Sequence, residues 1–152
     1  HLNLTSHNQG QAPLALSQAL HSYFAVSDIR QVAVSGLDGC RYLETLENWE
    51  KRRQQGALHF NGETDRVYLG VPEQLRLHDT GWSRTLCLQT HGSASAILWN
   101  PWDDKAKRLS AFAADAWERM LCIETANVRD DCVTLAPGER HSLGFSLWSE
   151  PV

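Results

Sequence analysis

The chain has little of what most cofactor and ligand signatures need. Its four cysteines, Cys40, Cys87, Cys122 and Cys132, include no C-x-x-C pair. That argues against a thiolate metal knuckle and a disulfide framework alike, and favours a reduced, cytoplasmic protein. The seven histidines provide no H-E-x-x-H or His-x-His spacing, so no metal is expected. No G-x-S-x-G elbow and no glycine-rich phosphate or dinucleotide loop occurs, which removes serine hydrolysis and leaves no cofactor to expect. No apolar run approaches the ~20 residues of a membrane span, and no charged, then apolar, leader opens the chain. Basic residues cluster only at Lys51, Arg52 and Arg53, beside Glu44, Glu47 and Glu50, and the net charge is −4. Nucleic acid would require a wider basic face.

What is present is a core-forming composition. With 152 residues, 42% hydrophobic and 21% charged, the chain fits a single domain over 1–152. Alternating or continuous apolar runs predict strands at Leu14–Val26, Gln31–Ser35, Arg66–Val71, Gln74–His78, Arg84–Thr90, Ala96–Trp99, Trp117–Thr125, Cys132–Leu135 and His141–Trp148. Turn chemistry separates them, as in Asn61-Gly62, Asp79-Thr80-Gly81 and Ala136-Pro137-Gly138-Glu139. Only Tyr42–Gln55 and Asp103–Phe112 lean toward helix, the second with Asp103 and Lys107 at i,i+4, and neither has a wide apolar stripe, so each is expected to be a helical turn or a loop on the sheet. The expectation is an all-β sandwich. Leu2-Asn3-Leu4-Thr5 alternates from the outset, as though the chain entered in mid-strand, which suggests a piece of something longer.

Two segments place a proton-transfer group inside strand-like runs: Leu20-His21-Ser22-Tyr23-Phe24 and Cys122-Ile123-Glu124-Thr125-Ala126. An unpaired buried ionisable group is driven toward its neutral form, so each needs a partner or a task, and acid–base chemistry is the task such groups suit. The plain readings stand beside this one. His21 also fits a hydrogen-bonded core histidine, and Glu124 an ion pair with Arg119 or Arg129. Asp65, in Thr64-Asp65-Arg66-Val67-Tyr68, fits a turn or cap at a strand start. Trp99-Asn100-Pro101-Trp102 offers indole faces and an amide suited to a sugar, or alternatively core packing by Trp99 and a turn at Asn100.

In order along the chain, Ala19-Leu20-His21-Ser22-Tyr23-Phe24, Thr64-Asp65-Arg66-Val67-Tyr68, Trp99-Asn100-Pro101-Trp102-Asp103-Asp104-Lys105-Ala106, Cys122-Ile123-Glu124-Thr125-Ala126-Asn127 and Leu135-Ala136-Pro137-Gly138-Glu139 resemble the C-terminal half of a hexose-6-phosphate mutarotase. This is the glucose-6-phosphate 1-epimerase branch of the aldose 1-epimerase superfamily. The resemblance implies a galactose-mutarotase-like β-sandwich (supersandwich), of which this chain is the C-terminal portion, with a sugar cleft on one sheet. It implies an isomerase that interconverts the anomers of a hexose 6-phosphate, glucose 6-phosphate first among them. His21 matches the residue that protonates the ring oxygen and Glu124 the one that takes the anomeric proton. Asp65 matches a carboxylate that holds sugar hydroxyls, with Trp99 and Asn100 beside the substrate. The family's other half supplies a further histidine and the phosphate-clamping arginines, so the resemblance predicts half a site here. It also predicts an exposed sheet edge or face for the missing half or for self-association. The alternative is a non-catalytic carbohydrate- or sugar-phosphate-binding module on the same fold.

Overall fold

The computed structural model describes residues 1–151. In chain order the strands are β1 (Leu2–His7), β2 (Leu14–Leu16), β3 (Gln18–Leu20), β4 (Tyr23–Ala25), β5 (Val32–Ser35), β6 (Arg41–Glu44), β7 (Glu50–Arg53), β8 (Leu58–His59), β9 (Thr64–Leu69), β10 (Gln74–Asp79), β11 (Arg84–His91) and β12 (Ser95–Asn100). One short helix, α1 (Trp102–Ala106), precedes β13 (Met120–Asn127), β14 (Val133–Leu135) and β15 (Arg140–Pro151). The first sheet has the order β1-β15-β11-β10-β5-β8 and the second β3-β13-β12-β9-β6-β7, with β4 also on β13. All recorded pairings are antiparallel, and β2 and β14 form a small separate ribbon.

The expected all-β class is therefore the observed one, and alternation builds it. Leu75 and Leu77 from β10, Val34 from β5 and Leu88 from β11 face Leu98 of β12, Leu121 and Ile123 of β13 and Tyr68 of β9 across a closed core. Tyr68 is fully buried, and its hydroxyl donates to Gln54 Oε1 at 2.7 Å, so the one polar atom it brings inward is satisfied.

Two strand expectations need correction, and one loop gains strands. The single strand expected over Leu14–Val26 is broken into β2, β3 and β4; at the second break Ser22 N–H bonds its own chain, to the Leu20 carbonyl at 2.8 Å, rather than crossing to a neighbour. Trp117 lies in a 3-10 turn over Ala116–Arg119, with β13 starting only at Met120. Tyr42–Gln55 keeps one helical turn, a 3-10 turn over Thr45–Glu47, and places it inside the β6–β7 hairpin, in which Tyr42 and Glu44 point inward and the charged β7 is exposed along one sheet edge. Its turn uses Asn48 and Trp49 at φ 53° and 63°. A charged edge strand has no inward apolar face to show in its sequence, and such charge discourages edge-to-edge pairing. Asp103–Phe112 contains α1, with Lys107 Nζ 2.6 Å from Asp103 Oδ2 as the i,i+4 spacing suggested.

The two sheets do not end together. Leu2 and Leu4 of β1 stand opposite Phe145 and Leu143 of β15 and share their face. That face is the core face, because Phe145 is buried with its ring centroid 6.5 Å from that of Phe24 in β4. Yet Leu2 and Leu4 are 47% and 36% exposed, and Leu147, opposite the buried Leu88, is 44% exposed. The first sheet thus overhangs the second at the β3/β4 edge and presents inward-facing leucines with nothing above them.

Candidate active site

Register brings the two proton-transfer groups together. Leu20 pairs with Thr125 and Tyr23 with Cys122, so the alignment of the ladder is the same on both sides of the break and sets His21 level with Glu124. Their closest atoms, His21 Nε2 and Glu124 Oε1, are 3.4 Å apart. The environments differ sharply: side-chain exposure is 53% for His21 and 7% for Glu124. The break explains the difference. Residues released from the ladder lift the imidazole out of the sheet, whereas Glu124 sits mid-strand in a β13 whose eight residues are all buried.

Alternation decides which other residues share this face. Ile97 stands opposite both Glu124 and Val67, and Trp99 opposite both Cys122 and Asp65. Glu124, Cys122, Ile97, Trp99, Val67 and Asp65 therefore project from the same side of the second sheet, away from the core. Asp65 lies two strands and one same-face step from Glu124, about 12 Å backbone to backbone from strand spacing, a span suited to a single sugar ring and the side chains that reach it. Thr45 Oγ1 donates to the Asp65 carbonyl at 2.8 Å and pins the start of β9.

An aromatic wall closes one end. The His21 ring stacks on Tyr23 at a centroid distance of 4.9 Å and 11° between planes, and Trp99 meets both edge-on, at 6.1 and 6.3 Å. Phe112 backs Trp99 at 6.4 Å. Stacking of this kind fixes ring orientation at small cost. Tyr23 and Cys122 were not singled out from sequence. The available signal was their i,i+2 spacing from His21 and Glu124, which in a strand means the same face.

Electrostatics follow the geometry. Burial raises the Glu124 carboxyl above the usual carboxylate range; His21 opposes that shift and the nearby Asp65 carboxylate adds to it. Burial likewise raises Asp65, with Thr45 and Lys105 working the other way. The Cys122 thiol is pushed up strongly, first by burial and then by Glu124. Neither Arg119 nor Arg129 pairs with Glu124: among the described residues its ionic partner is His21.

Asn100 is the exception among the expected site residues. It is fully buried, its amide donates to the carbonyls of Trp117 at 2.8 Å and Met120 at 2.9 Å, and its Oδ1 accepts from Trp102 N–H at 2.9 Å. Alternation turns it to the face opposite Trp99, and its hydrogen-bonding capacity ties α1 and the Ala116–Arg119 turn to β12. It is a structural residue rather than a sugar ligand. His21, Glu124, Asp65 and Trp99 do share one face.

Metal-ligating atoms also meet here, contrary to the reading from spacing: His21, Cys122 and Glu124 each offer a ligand atom, all within 4.8 Å of one another. Spacing motifs register ligands on one local element, and these come from two strands about a hundred residues apart. A separate hollow of about 300 Å³ lies at the far edge of the same sheet, lined by Arg41, Leu43, Lys51, Arg53, Leu69 and Asp130 among others. It contains no histidine–carboxylate pair; His21 and Glu124 lie toward the other edge of the sheet, at β13 and the β3/β4 break. No helix among the described residues is long and apolar enough to cross a membrane.

Comparison with known proteins agrees with this architecture. A Cenchrus ciliaris protein provisionally named glucose-6-phosphate 1-epimerase is 39% identical over 155 residues, covering 99% of this chain and 47% of its own length. A Haemophilus influenzae protein with the same provisional name is 32% identical, over 97% of this chain and 50% of its own. Among solved structures, HI1317 superposes with a TM-score of 0.77 at 31% identity, over 96% of this chain and 51% of that one. A Salmonella typhimurium protein provisionally described as a mutarotase gives a TM-score of 0.83 at 25% identity, over 97% and 50%. The chain spans about half the length of the curated relatives it matches. The aldose 1-epimerase family model matches residues 1–148, nearly the whole chain, and with that match the chain belongs to the aldose 1-epimerase family.

Proposed function

We propose that this chain carries the acid–base half of a mutarotase site that interconverts the α and β anomers of a hexose 6-phosphate, with glucose 6-phosphate the first candidate substrate. The observation that carries the reading is the 3.4 Å approach of His21 Nε2 to Glu124 Oε1 on an open sheet face. Ring opening takes a proton from O1 and delivers one to O5. Both oxygens are bonded to C1, so the two groups that move the protons must be neighbours, as these are. Glu124 accepts the O1 proton while His21 donates to O5; the C1–O5 bond breaks and the aldehyde forms. After rotation about C1–C2 the ring closes on the other carbonyl face, with the two roles exchanged. Burial supports Glu124 in this role, since a carboxyl with a raised pKa takes and returns a proton near neutrality more readily than a solvated one. Asp65 accepts hydrogen bonds from sugar hydroxyls, and Trp99 gives the ring an apolar face. The names of the relatives support the sugar phosphate as substrate.

The phosphate end requires groups beyond this chain. In this reading the companion half of the fold packs at the β3/β4 edge, over the exposed Leu2 and Leu4, and brings its own side chains up beside His21. The test is anomer exchange of glucose 6-phosphate, followed by NMR saturation transfer, on the chain joined to the half of the Cenchrus ciliaris relative that it does not match. Exchange above the spontaneous rate, lost in His21→Asn and in Glu124→Gln, is the expected result. Tight sugar-phosphate binding without faster exchange would make this a binding module instead.

A further inference from the structure

We infer that His21, Cys122 and Glu124 form a site for a thiophilic divalent cation of the zinc class, which blocks the acid–base pair when it binds. The proposal is about an inhibitory ion, not a cofactor, and its inhibitory consequence rests on the function proposed above.

Three observations carry it. The ligand atoms are an imidazole nitrogen, a thiol sulfur and a carboxylate oxygen, mutually within 4.8 Å. Tetrahedral zinc, with bonds of about 2.0–2.3 Å, places its ligand atoms roughly 3.3–3.8 Å apart, so closing the site takes a movement of about 1 Å. His21 is off the ladder and half-exposed, and Cys122 and Glu124 project from one strand face two residues apart. Finally, aromatic side chains flank the cluster: Tyr23 stacks on the imidazole and Trp99 stands opposite Cys122 in the ladder.

The balance is straightforward. The thiol loses its proton to solvent as the metal–sulfur bond forms, the carboxylate supplies the second negative charge, and neutral imidazole completes three protein ligands around the dication. The fourth position faces the cleft and takes water. Sulfur and nitrogen donors select zinc, cadmium and cobalt over magnesium and calcium. Once bound, the ion occupies the imidazole lone pair and a Glu124 oxygen, the two atoms that move protons in mutarotation, so occupancy and turnover exclude one another.

Cobalt(II) is the probe. In a background with the more accessible thiols removed (Cys40→Ser, Cys132→Ser), the chain is expected to take up one equivalent of cobalt with a near-ultraviolet thiolate-to-cobalt charge-transfer band, which zinc discharges and magnesium does not. Cys122→Ser should abolish the band. His21→Asn, at a half-exposed position that does not threaten folding, should weaken zinc binding at least tenfold. Absence of the band, its persistence in Cys122→Ser, or unchanged zinc affinity in His21→Asn overturns the proposal. The readout needs no turnover: a bound metal with no anomer exchange once the chain is joined to the companion half would refute the mutarotase reading alone, and an active joined protein whose chain binds no cobalt would refute this one alone.

Discussion

Ile97 stands opposite Glu124 on one side of β12 and opposite Val67 on the other, so the Glu124 carboxylate rises from a floor of aliphatic side chains and meets the His21 imidazole on the opposite flank. A carboxylate placed between an apolar floor and a half-exposed imidazole is desolvated on one side and held by a polar partner on the other. Function and stability pull against each other at such a position.

Glu124→Gln should expose that conflict. The folded-state pKa of Glu124 is raised by burial, so the folded form is favoured while the carboxyl is protonated and loses that advantage as pH rises through the raised value. At neutral pH the amide removes the cost of a buried charge. The expected result is a Tm equal to or above wild type at pH 7, with the difference shrinking toward pH 4.5, alongside a rate loss on the order of 10²- to 10⁴-fold from removal of one acid–base group. Calorimetry at the two pH values and saturation-transfer NMR check the two halves. A variant that is both less stable and fully active contradicts the assignment.

The pH profile should respond to Asp65. Its negative charge is one of the causes that raise Glu124, after burial. Asp65→Asn removes that contribution, and the acid limb of kcat/KM, which reports ionisation of the base in the free protein, should move to lower pH even as KM rises through loss of a hydroxyl acceptor. An acid limb that does not move would mean that Asp65 is not electrostatically linked to the base.

Much of this was legible in sequence because strands write their burial as alternation. His21, Glu124, Asp65 and Trp99 stood out in sequence as polar or aromatic groups in strand-like runs, and the sheet sets them on one face. What stayed hidden was non-local. Nothing at Ser22 announces that its N–H turns back to Leu20, yet that single bond frees His21 from the ladder. Cys122 read as an ordinary buried thiol because its neighbour His21 lies about a hundred positions away. The charged Lys51-Arg52-Arg53 segment did not read as a strand because an exposed edge strand carries no apolar period. Asn100 misled for a related reason: a primary amide suits a hydroxyl, a carbonyl or a turn equally, and only the fold shows that it is buried.

That residue gives a direct test of structure against binding. Asn100→Ala leaves the carbonyls of Trp117 and Met120 without their buried donor. Each buried group left unsatisfied costs about 1–3 kcal/mol, so urea unfolding should show a loss of about 2–4 kcal/mol with little change in the slope. Affinity for sugar phosphate in the fraction that remains folded should stay within twofold. A stable variant with weakened sugar binding would return Asn100 to the binding site.

The overhang at β1 makes the last prediction. Leu2 and Leu4 belong to the core face by register, yet are 47% and 36% exposed, so aspartate at either position costs the isolated chain little. Covered by the companion half, the same positions would bury a carboxylate against Phe145 and Leu143, and an uncompensated buried charge is strongly unfavourable. Leu2→Asp/Leu4→Asp should therefore leave the Tm of the chain within a few degrees of wild type and weaken its association with the separately expressed half of the Cenchrus ciliaris relative at least a hundredfold by titration calorimetry. Leu46→Asp, at a comparably exposed leucine in the β6–β7 turn, should leave that association unchanged. If the Leu46 substitution disrupts assembly and the β1 pair does not, the companion docks at the charged edge of the second sheet and His21 faces open solvent.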